Sequence, residues 1–553
     1  MVSRSVLSCV RLLVLRSLLV VSLFTGHFLL ASATRASDIY VAQNAAGSGN
    51  GSSCATAFAV SYLNSASNWV AGNTYHLCGT FNYPAGSNGI SVLASGTASS
   101  PINIVFESGA ILQSPAFGGC AQCATGGAIV IDNQNYIVID GMKTGIIQNT
   151  ANGSSLQYQN GSIGIYAYGD HLTIRNLTIK NIYLASSAEP NSQPGFNTTD
   201  IQLNSSNAEI CNNTINDAHV GVWFNTNWSG PRTEGPTGCN DSLSATGVHV
   251  YNNYISDHGW QIDVGGGGVA NIYGNEITNW SNWFYPTANP YHLDGIIAYG
   301  YSTGSPSVVK PYIYNNYIHG DFLNGSPTGF IFCTYGNTGS GSSCTIYNNL
   351  LVGEGGTVTC CQGIYFHGAD GNPLGPHWVY NNTIDGFGTG SIYMDGDNTQ
   401  VYTIENNIFI QHGGWYLQSG GWGTLTMNYN VGYGGRNPGG TAGPWNSMSF
   451  SAWNSQGYDV NSSDGTNPNL SSNYLIQNTS SVAYNRGTNL TGQNISSLDI
   501  SAPTTFGPGY ACGATGCVPR PTSGSWNAGV YNYSSSTAGT PPAPPQDLTA
   551  TVQ

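Results

Sequence analysis

The 553-residue chain is poor in charge, and basic residues are especially scarce. Charged side chains make up 7% of it, with 12 Lys and Arg against 26 Asp and Glu. Nucleic acids and anionic membrane surfaces require a basic face, so this balance argues against both kinds of partner. Low charge indicates disorder when apolar residues are also few, but 40% of this chain is hydrophobic and its apolar residues recur periodically. The composition therefore predicts a folded protein with an uncharged polar surface.

The sequence also lacks a long uninterrupted apolar run. The longest stretch, residues 18–30, follows three Arg residues and precedes the small residues at 31–33. This arrangement is typical of a secretory signal peptide and is too short to span a bilayer comfortably. We predict a signal peptide at residues 1–33, a secreted or cell-surface protein, and no membrane insertion after cleavage. The mature chain then keeps nine Lys and Arg against 26 Asp and Glu, a net charge of −17.

The cysteines predict disulfides. One of the thirteen lies in the signal segment, which leaves an even number in an exported chain. A zinc site would need recurring Cys-x-x-Cys pairs, and that spacing occurs once. The twelve fall into neighbouring groups, which are Cys54/Cys78, Cys120/Cys123, Cys211/Cys239, Cys333/Cys344, Cys360/Cys361 and Cys512/Cys517.

Seven related strings organise the chain between residues 207 and 411. Each is a short β-favouring run, an Asn-Asn or Gly-Asn corner, and a further apolar pair: AEICNNTI, VHVYNNYI, ANIYGNEI, PYIYNNYI, CTIYNNLL, HWVYNNTI and YTIENNIF. The corners end at Asn213, Asn253, Asn275, Asn316, Asn349, Asn382 and Asn407. A coil of about 22–25 residues that accepts insertions is the signature of a β-solenoid. Asn suits such a corner because it tolerates the left-handed backbone region and can hydrogen-bond its own turn.

Strands separated by Gly, Ser and Asn turns precede these corners, as in NYIVIDGMKTGIIQN at 135–149 and DHLTIRNLTIKNIY at 170–183. This layout resembles the right-handed parallel β-helix repeat proteins of the pectin-lyase-like superfamily, over roughly residues 38–535. The resemblance implies an all-β fold, a single-stranded right-handed parallel β-helix with inserted loops and end caps. As a guide to function it is weak, because this fold hosts lyases, hydrolases, epimerases and non-catalytic adhesins.

The expected organisation follows the chain. We predict an N-terminal cap with the first coils at 38–115, the parallel β-helix at 116–460 and C-terminal coils at 461–533. Residues 534–553 are rich in Pro, Ser and Thr and are expected to form a linker or tail.

Aromatic side chains supply candidate carbohydrate-binding residues. A second strand follows each corner, as in GIYAY, GVWFN, GIIAY, GFIFC, GIYFH and SIYMD, and alternation turns its aromatic residues outward. A ladder of Tyr and Trp suits the apolar faces of sugar rings, although ordinary stacking that stabilises a sheet gives the same pattern. The aromatic insertion at 280–292 is a candidate cleft wall. The predicted substrate-binding residues are Tyr166, Trp223, Trp280, Trp283, Tyr285, Tyr299, Tyr365, His367 and Tyr393.

Acidic and histidine residues cluster just after the corners of the middle coils. Equivalent positions on stacked coils bring carboxylates within a few to roughly ten ångström of each other, the range over which carboxylate pairs hydrolyse glycosidic bonds. A neighbouring His can transfer a proton beside them. The alternative is that each Asp satisfies backbone N–H groups in its own turn. The predicted catalytic residues are Asp257, His258, Asp263, His292, Asp294 and Asp321.

No catalytic set can be carried over from the resembling proteins. The chain lacks the Asp-Asp, Gly-His-Gly and Arg-x-Lys elements of polygalacturonase-like hydrolases, and Asp257-His258 lacks the Trp of the pectate-lyase Trp-x-Asp-His element. We expect no cofactor. Calcium is an alternative at the DGDN segment 395–398 or the DGN segment 370–372, where oxygen ligands are close together, but solvated turns explain both.

The predicted function is recognition and cleavage of an extracellular polysaccharide, neutral rather than uronic, by carboxylate-based glycoside hydrolysis in a monomeric protein. One alternative is a non-catalytic glycan-binding, adhesion or structural surface protein, and another is a polysaccharide lyase. Geometry discriminates among them. Hydrolysis requires Asp257 or Asp294 to face a second carboxylate on one groove, and a lyase requires Lys or Arg in that groove.

Overall fold

The structure is a computed structural model. It describes residues 36–120, 124–151, 161–182, 198–226, 239, 246–265, 268–280, 293–299, 308–322, 327–334, 342–353, 361–368, 375–395, 398–412, 414–436, 443–491, 520–521, 523–531 and 533, with only the backbone at 321, 322 and 327. The predicted signal peptide and C-terminal tail lie outside these ranges and stay predictions.

Almost all regular structure in the described residues is β-strand. The first strands are β1 (Asp38–Ala42), β2 (Phe58–Ala59), β3 (Thr74–Cys78), β4 (Thr80–Asn82), β5 (Ile90–Val92), β6 (Ile102–Phe106), β7 (Ile111–Ser114), β8 (Ile129–Asp132), β9 (Ile137–Asn149), β10 (Ser162–Tyr168), β11 (Leu172–Lys180), β12 (Thr198–Ser205), β13 (Asn207–Cys211), β14 (Thr214–Thr226), β15 (Gly247–Tyr251), β16 (Tyr254–Gly265) and β17 (Gly268–Tyr273). They continue as β18 (Glu276–Trp280), β19 (Leu293–Tyr299), β20 (Val309–Tyr314), β21 (Tyr317–Phe322), β22 (Pro327–Thr334), β23 (Thr345–Tyr347), β24 (Leu350–Val352), β25 (Gln362–His367), β26 (His377–Tyr380), β27 (Thr383–Asp385), β28 (Gly390–Met394), β29 (Val401–Glu405), β30 (Ile408–Ile410), β31 (Trp415–Ser419), β32 (Thr424–Asn428), β33 (Val431–Tyr433) and β34 (Ser463–Asp464). Short 3-10 helices cover Cys54–Thr56, Val60–Asn64 and Ala66–Asn68, and one α-helix, α1, covers Phe450–Ser455.

The strands stack in parallel as three ladders, so each turn of the chain contributes one strand segment to each. The first sheet contains β8, β10, β12, the second halves of β14 and β16, β19, β22, β25, β28 and β31. The second sheet contains the first halves of β9 and β11, then β13, β15, β17, β20, β23, β26, β29 and β32. The third sheet contains the second halves of β9 and β11, the first halves of β14 and β16, and β18, β21, β24, β27, β30 and β33. The predicted all-β, parallel β-helix fold is confirmed.

The Asn-Asn corner joins the second sheet to the third, and its two residues have different tasks. The first Asn takes the left-handed backbone, with φ between 52° and 63° at 212, 252, 315, 348, 381 and 406. The second Asn is buried and bonds to both neighbouring coils, and at 349 and 407 it also donates to a carbonyl of its own turn. For example, Asn316 Nδ2 donates to Asn349 Oδ1 at 3.0 Å and to the Ile272 carbonyl at 3.0 Å.

These bonds form a continuous amide ladder through the interior. It runs from Asn213 through each predicted corner to Asn407 and then Asn430, with Nδ2–Oδ1 distances of 3.0–3.1 Å. Asp459 ends the ladder by accepting from Asn430 Nδ2 at 2.9 Å. Buried polar groups must be hydrogen-bonded, so the ladder fixes the spacing of successive coils at this corner.

Alternation along the first-sheet strands fills the interior as predicted, with one exception. Ile165, Val222, Ile296, Ile364 and Ile392 are fully buried. In β22 strict alternation from Gly329 would turn both Phe330 and Phe332 inward. Phe330 is buried in the core, but Ile331 also points inward, because it pairs with both Ile296 and Ile364. The register shifts by one residue where Leu293 faces Pro327 and Asp294 faces Gly329. This bulge turns Phe332 outward, because side chains alternate with a period of two.

The C-terminal segment packs along the outside of the coils. Outward Tyr251, Tyr273, Tyr314 and Tyr347 stack 4.8 Å apart on the second sheet, in one cluster with Trp526. The described parts of residues 480–490 and 524–533, which belong to the predicted C-terminal coils, form no strand. Arg520 anchors this segment from a buried position, donating to the Asn527, Gly529 and Val530 carbonyls and to Asn348 Oδ1.

Three predicted disulfides are present, Cys54–Cys78, Cys211–Cys239 and Cys333–Cys344. Such bonds fit an extracellular protein, because they persist in oxidising compartments. Within the described ranges, no helix is long and apolar enough to cross a bilayer.

Candidate functional site

The outward face of the first sheet gathers most of the predicted binding residues. Cα partners in a parallel ladder point to the same side of the sheet, so register alone defines a row across the coils. That row is Val130, Tyr166, Gln202, Trp223, Asp263, Ile297, Phe332, Tyr365, Tyr393 and Gln418. Five of the predicted site residues therefore share this row, on strands that extend across most of the first sheet.

Two predicted carboxylates meet on this face. Asp294 pairs with Trp260, three residues before Asp263 on the neighbouring strand, and both carboxyl groups are fully buried. Burial, reinforced by the charge of Asp294, raises the pKa of Asp263 well above its ordinary value of 3.8. Neither carboxylate oxygen of Asp263 has a hydrogen-bond partner in the protein, whereas Asp294 Oδ1 accepts from Gly329 N at 3.3 Å. The pair therefore places a carboxyl group with a raised pKa beside a second carboxyl group on one face.

Aromatic and aliphatic side chains surround the carboxyl pair. Val220, Trp223, Trp260, Ile297 and Phe332 form one buried cluster on this outward face, with Tyr299 and Tyr365 packed against it. This apolar setting is what raises the pKa of Asp263, because a low-dielectric environment disfavours the charged form.

A second polar group lies farther along the same face, two coils beyond Asp294. Tyr365 Oη donates to Asp395 Oδ2, and His367 Nδ1 lies 2.8 Å from Asp395 Oδ1. Burial and the hydrogen bond to Asp395 raise the pKa of Tyr365, and the charge of Asp294 adds to the shift. His367 and Asp395 expose 41% and 24% of their side chains, so this end of the face is open to solvent.

The remaining aromatic predictions divide between this face and the interior. Tyr166 lies at the start of the row and stacks on Tyr168 at 4.3 Å. Tyr299 meets Trp260 edge-on at 6.4 Å, and Tyr393 lies 4.9 Å from Tyr365. Trp280 is fully buried inside the helix, where it stacks on Phe330 at 4.8 Å, so it faces no groove.

His258 is also interior. Its Nδ1 lies 2.7 Å from Gln261 Oε1, and its Nε2 lies 2.7 Å from Asp200 Oδ2. The Gln261 amide nitrogen donates to the Thr278 and Asn279 carbonyls, which fixes its oxygen toward His258. His258 Nδ1 must then carry the hydrogen.

Burial lowers the pKa of His258 to about 3 and raises that of Asp200 well above 3.8. A neutral His258 accepts at Nε2, so a protonated Asp200 donates to it. Asp200, His258 and Gln261 therefore form an enclosed neutral network, and the predicted role of His258 at a groove does not fit its position.

Asp257 lies on a different corner, where it faces Asp217 on the neighbouring coil. Both residues have left-handed backbones, with φ of 62° and 68°. Burial and the charge of Asp257 raise the pKa of Asp217 to about 7, and Lys180 opposes the shift. Asp257 thus has a carboxylate neighbour, as predicted, but at a turn between the third and first sheets rather than with Asp263 and Asp294.

Several predictions fall outside what the structure describes. His292, Trp283 and Tyr285 lie beyond the described residues, as do Asp370 and Asp397 of the calcium alternative. Asp321 ends up in β21, and nothing is described of its side chain. Among the described residues no group of three or more His, Cys, Asp and Glu is arranged to hold a metal ion.

Sequence reasoning missed Gln202 and Trp260, which share the face with the carboxyl pair. Gln202 Oε1 is buried without a hydrogen-bond partner, while its amide nitrogen donates to Tyr168 Oη at 3.1 Å. Trp260 lies three residues before Asp263 in WQIDV, so strict alternation would turn it to the opposite face, and only the register of β16 against its neighbours places it opposite Val220 and Asp294. Gln202 follows no Asn-Asn corner, and only the register of β12 brings it beside Trp223.

Comparison of the sequence with known protein families and with curated proteins gives no match. Among solved structures, a complex of XylC with xylose is similar over 78% of this chain and 87% of its own, at 11% identity and a TM-score of 0.44. Pectate lyase Pel9A is similar over 91% and 98%, at 12% identity and a TM-score of 0.41. The surface protein and adhesin PfbA of Streptococcus pneumoniae is similar over 66% and 94%, at 12% identity and a TM-score of 0.35. At these TM-scores the similarities carry no argument about activity.

Proposed function

We propose that this protein hydrolyses an extracellular neutral polysaccharide at the outward face of the first sheet. The observation that carries the proposal is the Asp263–Asp294 pair, which places a carboxyl group of raised pKa beside a second carboxyl group on one face. Glycoside hydrolysis uses this combination, because one group protonates the leaving oxygen while the other activates water or attacks the anomeric carbon. Asp263 is the proton donor in this scheme, and Asp294 is the base or nucleophile.

The surroundings of the pair support a neutral substrate. None of the described first-sheet segments carries a Lys or Arg, so these strands offer no cation to neutralise a uronate or to act as the base of a lyase. Trp223, Trp260 and Tyr365 offer flat apolar surfaces that suit sugar rings. Both carboxyl groups are fully buried, so hydrolysis requires this face to open to the polymer.

The test is release of reducing ends and of unsaturated, absorbing products over a polysaccharide panel. We expect reducing ends without absorbance from the wild type, and a loss of at least about 10²-fold in Asp263→Asn and Asp294→Asn. Asp257→Asn is the matched control and should retain activity, because its carboxylate lies on another corner. Unsaturated products would contradict hydrolysis, and equal losses in all three variants would contradict the site.

A non-catalytic glycan-binding protein is the second candidate, and the enclosure of both carboxyl groups favours it. In that case the exposed end of the face, at His367 and Asp395, would bind glycan without cleavage. Binding that survives in Asp263→Asn and Asp294→Asn, with no cleavage by the wild type on any polymer, would establish this alternative.

A further inference from the structure

The carboxyl pair borders a small gap above Gly265, the last residue of β16. A Cβ atom placed on Gly265 would lie 3.1 Å from Trp223 Nε1, 3.5 Å from Asp263 Oδ1 and 3.6 Å from Tyr299 Oη. No heavy atom comes closer, apart from the glycine and its chain neighbours. Three polar atoms from three neighbouring strands therefore converge on a space about the size of a methyl group.

Two of these atoms have unmet hydrogen-bonding capacity. Among the described residues, Trp223 Nε1 and both Asp263 oxygens are buried without a hydrogen-bond partner, and Trp223 and Asp263 expose 6% and 0% of their surface. Leaving a buried donor or acceptor unpaired costs about 1–3 kcal/mol, so an unpaired donor and acceptor at one point are poised for a ligand. Gln202 Oε1, on the strand before Trp223, extends the same row of unpaired groups.

We infer that the Gly265 gap binds one hydroxyl group of a neutral sugar, a conclusion that rests on the proposed function for its substrate class. A hydroxyl is both donor and acceptor, so it can accept from the indole N–H of Trp223 and donate to Asp263. A carboxylate at this point would bring a further negative charge beside Asp294, whose charge already raises the pKa of Asp263. The gap thus favours a hydroxyl over a carboxylate at this one position of the bound sugar.

Gly265 is a specificity determinant in this scheme, since any side chain would fill the gap. Its backbone does not require glycine, because its φ lies outside the left-handed region. Gly265→Ala is therefore free of backbone strain, and its Cβ requires the Trp223 ring to shift by a few tenths of an ångström. Trp223→Phe removes the N–H while keeping an aromatic ring in the row.

The experiment measures Kd by affinity electrophoresis on soluble β-glucan, arabinoxylan and galactomannan, with polygalacturonate as the acidic comparison. For the neutral polymer that the wild type binds, Gly265→Ala and Trp223→Phe should each raise Kd about tenfold. Gly420→Ala is the matched control, because a Cβ there meets only ordinary contacts at 3.8 and 4.0 Å, and its Kd should match the wild type. Wild-type Kd values for Gly265→Ala and Trp223→Phe would overturn the inference, and so would tightest binding to polygalacturonate.

Cleavage assays on the same variants separate this inference from the proposed function. If Gly265→Ala binds and cleaves like the wild type while Asp294→Asn loses cleavage, the hydroxyl site at Gly265 is wrong and the proposed hydrolysis is supported. Weakened binding in Gly265→Ala and Trp223→Phe, with no cleavage by any form, would refute hydrolysis and leave the hydroxyl site standing.

Discussion

Replacing one residue of the interior amide ladder should destabilise the helix far more than replacing its neighbour in sequence. Asn316 Nδ2 donates to Asn349 Oδ1 and to the Ile272 carbonyl, and its Oδ1 accepts from the backbone N–H and side-chain amide of Asn275. Asn316→Leu keeps a side chain of similar size and removes all four bonds. The substitution leaves three groups without this partner, which are the backbone N–H and side-chain amide of Asn275 and the carbonyl of Ile272. At about 1–3 kcal/mol for each buried group left unpaired, the free energy of unfolding should fall by about 3–9 kcal/mol.

The control is Asn315→Gly, one position earlier. Asn315 has a left-handed φ of 56°, a conformation that glycine adopts freely, and its Oδ1 is buried without a partner. Its replacement should change the free energy of unfolding by no more than about 1 kcal/mol. Comparing Asn316→Leu with Asn315→Gly therefore separates the contribution of the buried amide from that of the left-handed residue of the corner.

Urea unfolding followed by circular dichroism measures both changes, and hydrogen exchange locates them. Coils of a solenoid contact only their neighbours, so faster exchange in Asn316→Leu should centre on the coils that carry Asn275 and Asn349. If Asn316→Leu costs no more than Asn315→Gly, the ladder does not hold the coils together and the reasoning fails.

Three further predictions follow from the buried ionisable groups. Asp200→Asn should become more stable relative to the wild type as pH rises above 3.8, by about 1.4 kcal/mol per pH unit. The reason is that the folded wild type keeps a proton on Asp200 that the unfolded chain releases. A difference in unfolding free energy that does not change with pH would contradict this. Arg520→Leu leaves the Asn527, Gly529 and Val530 carbonyls without the Arg520 donor, so residues 520–531 should become accessible to limited proteolysis. Arg486→Leu is the control. Equal cleavage rates in the two variants would show that Arg520 does not anchor this segment. Hydrolysis should persist well above pH 3.8 and fall as pH rises through the raised pKa of Asp263, because the proton donor is then lost; a rate that rises through that range would exclude Asp263 as the acid.

The fold could be predicted because each coil contains the same corner. An Asn-Asn or Gly-Asn corner indicates a left-handed residue followed by a buried amide, so its seven copies define the repeat without long-range information. The β22 error shows the limit of this reasoning. One extra residue opposite Leu293 reverses the alternation that follows it, and nothing local in GFIFC marks that bulge.

The candidate site was harder to predict, because alternation fails where the backbone is left-handed. Asp257 has a φ of 62°, and the adjacent His258 points into the interior rather than toward a groove. Its partner Asp200 lies 58 residues away, and no motif links them. Asp263 was predicted from its place after the Asn253 corner, and only the register of β16 and β19 shows that it lies close to Asp294.

The amide ladder also explains why the candidate site lies on the first sheet. It fixes the corner between the second and third sheets, where a change of length would break buried hydrogen bonds on both neighbouring coils. Length can therefore vary only at the two corners that flank the first sheet. The long connections are found there, at 183–197 and 281–292 before first-sheet strands and at 227–246 and 300–308 after them. Because connections on a rigid scaffold carry most functional variation, the candidate site is expected on the sheet that these connections flank.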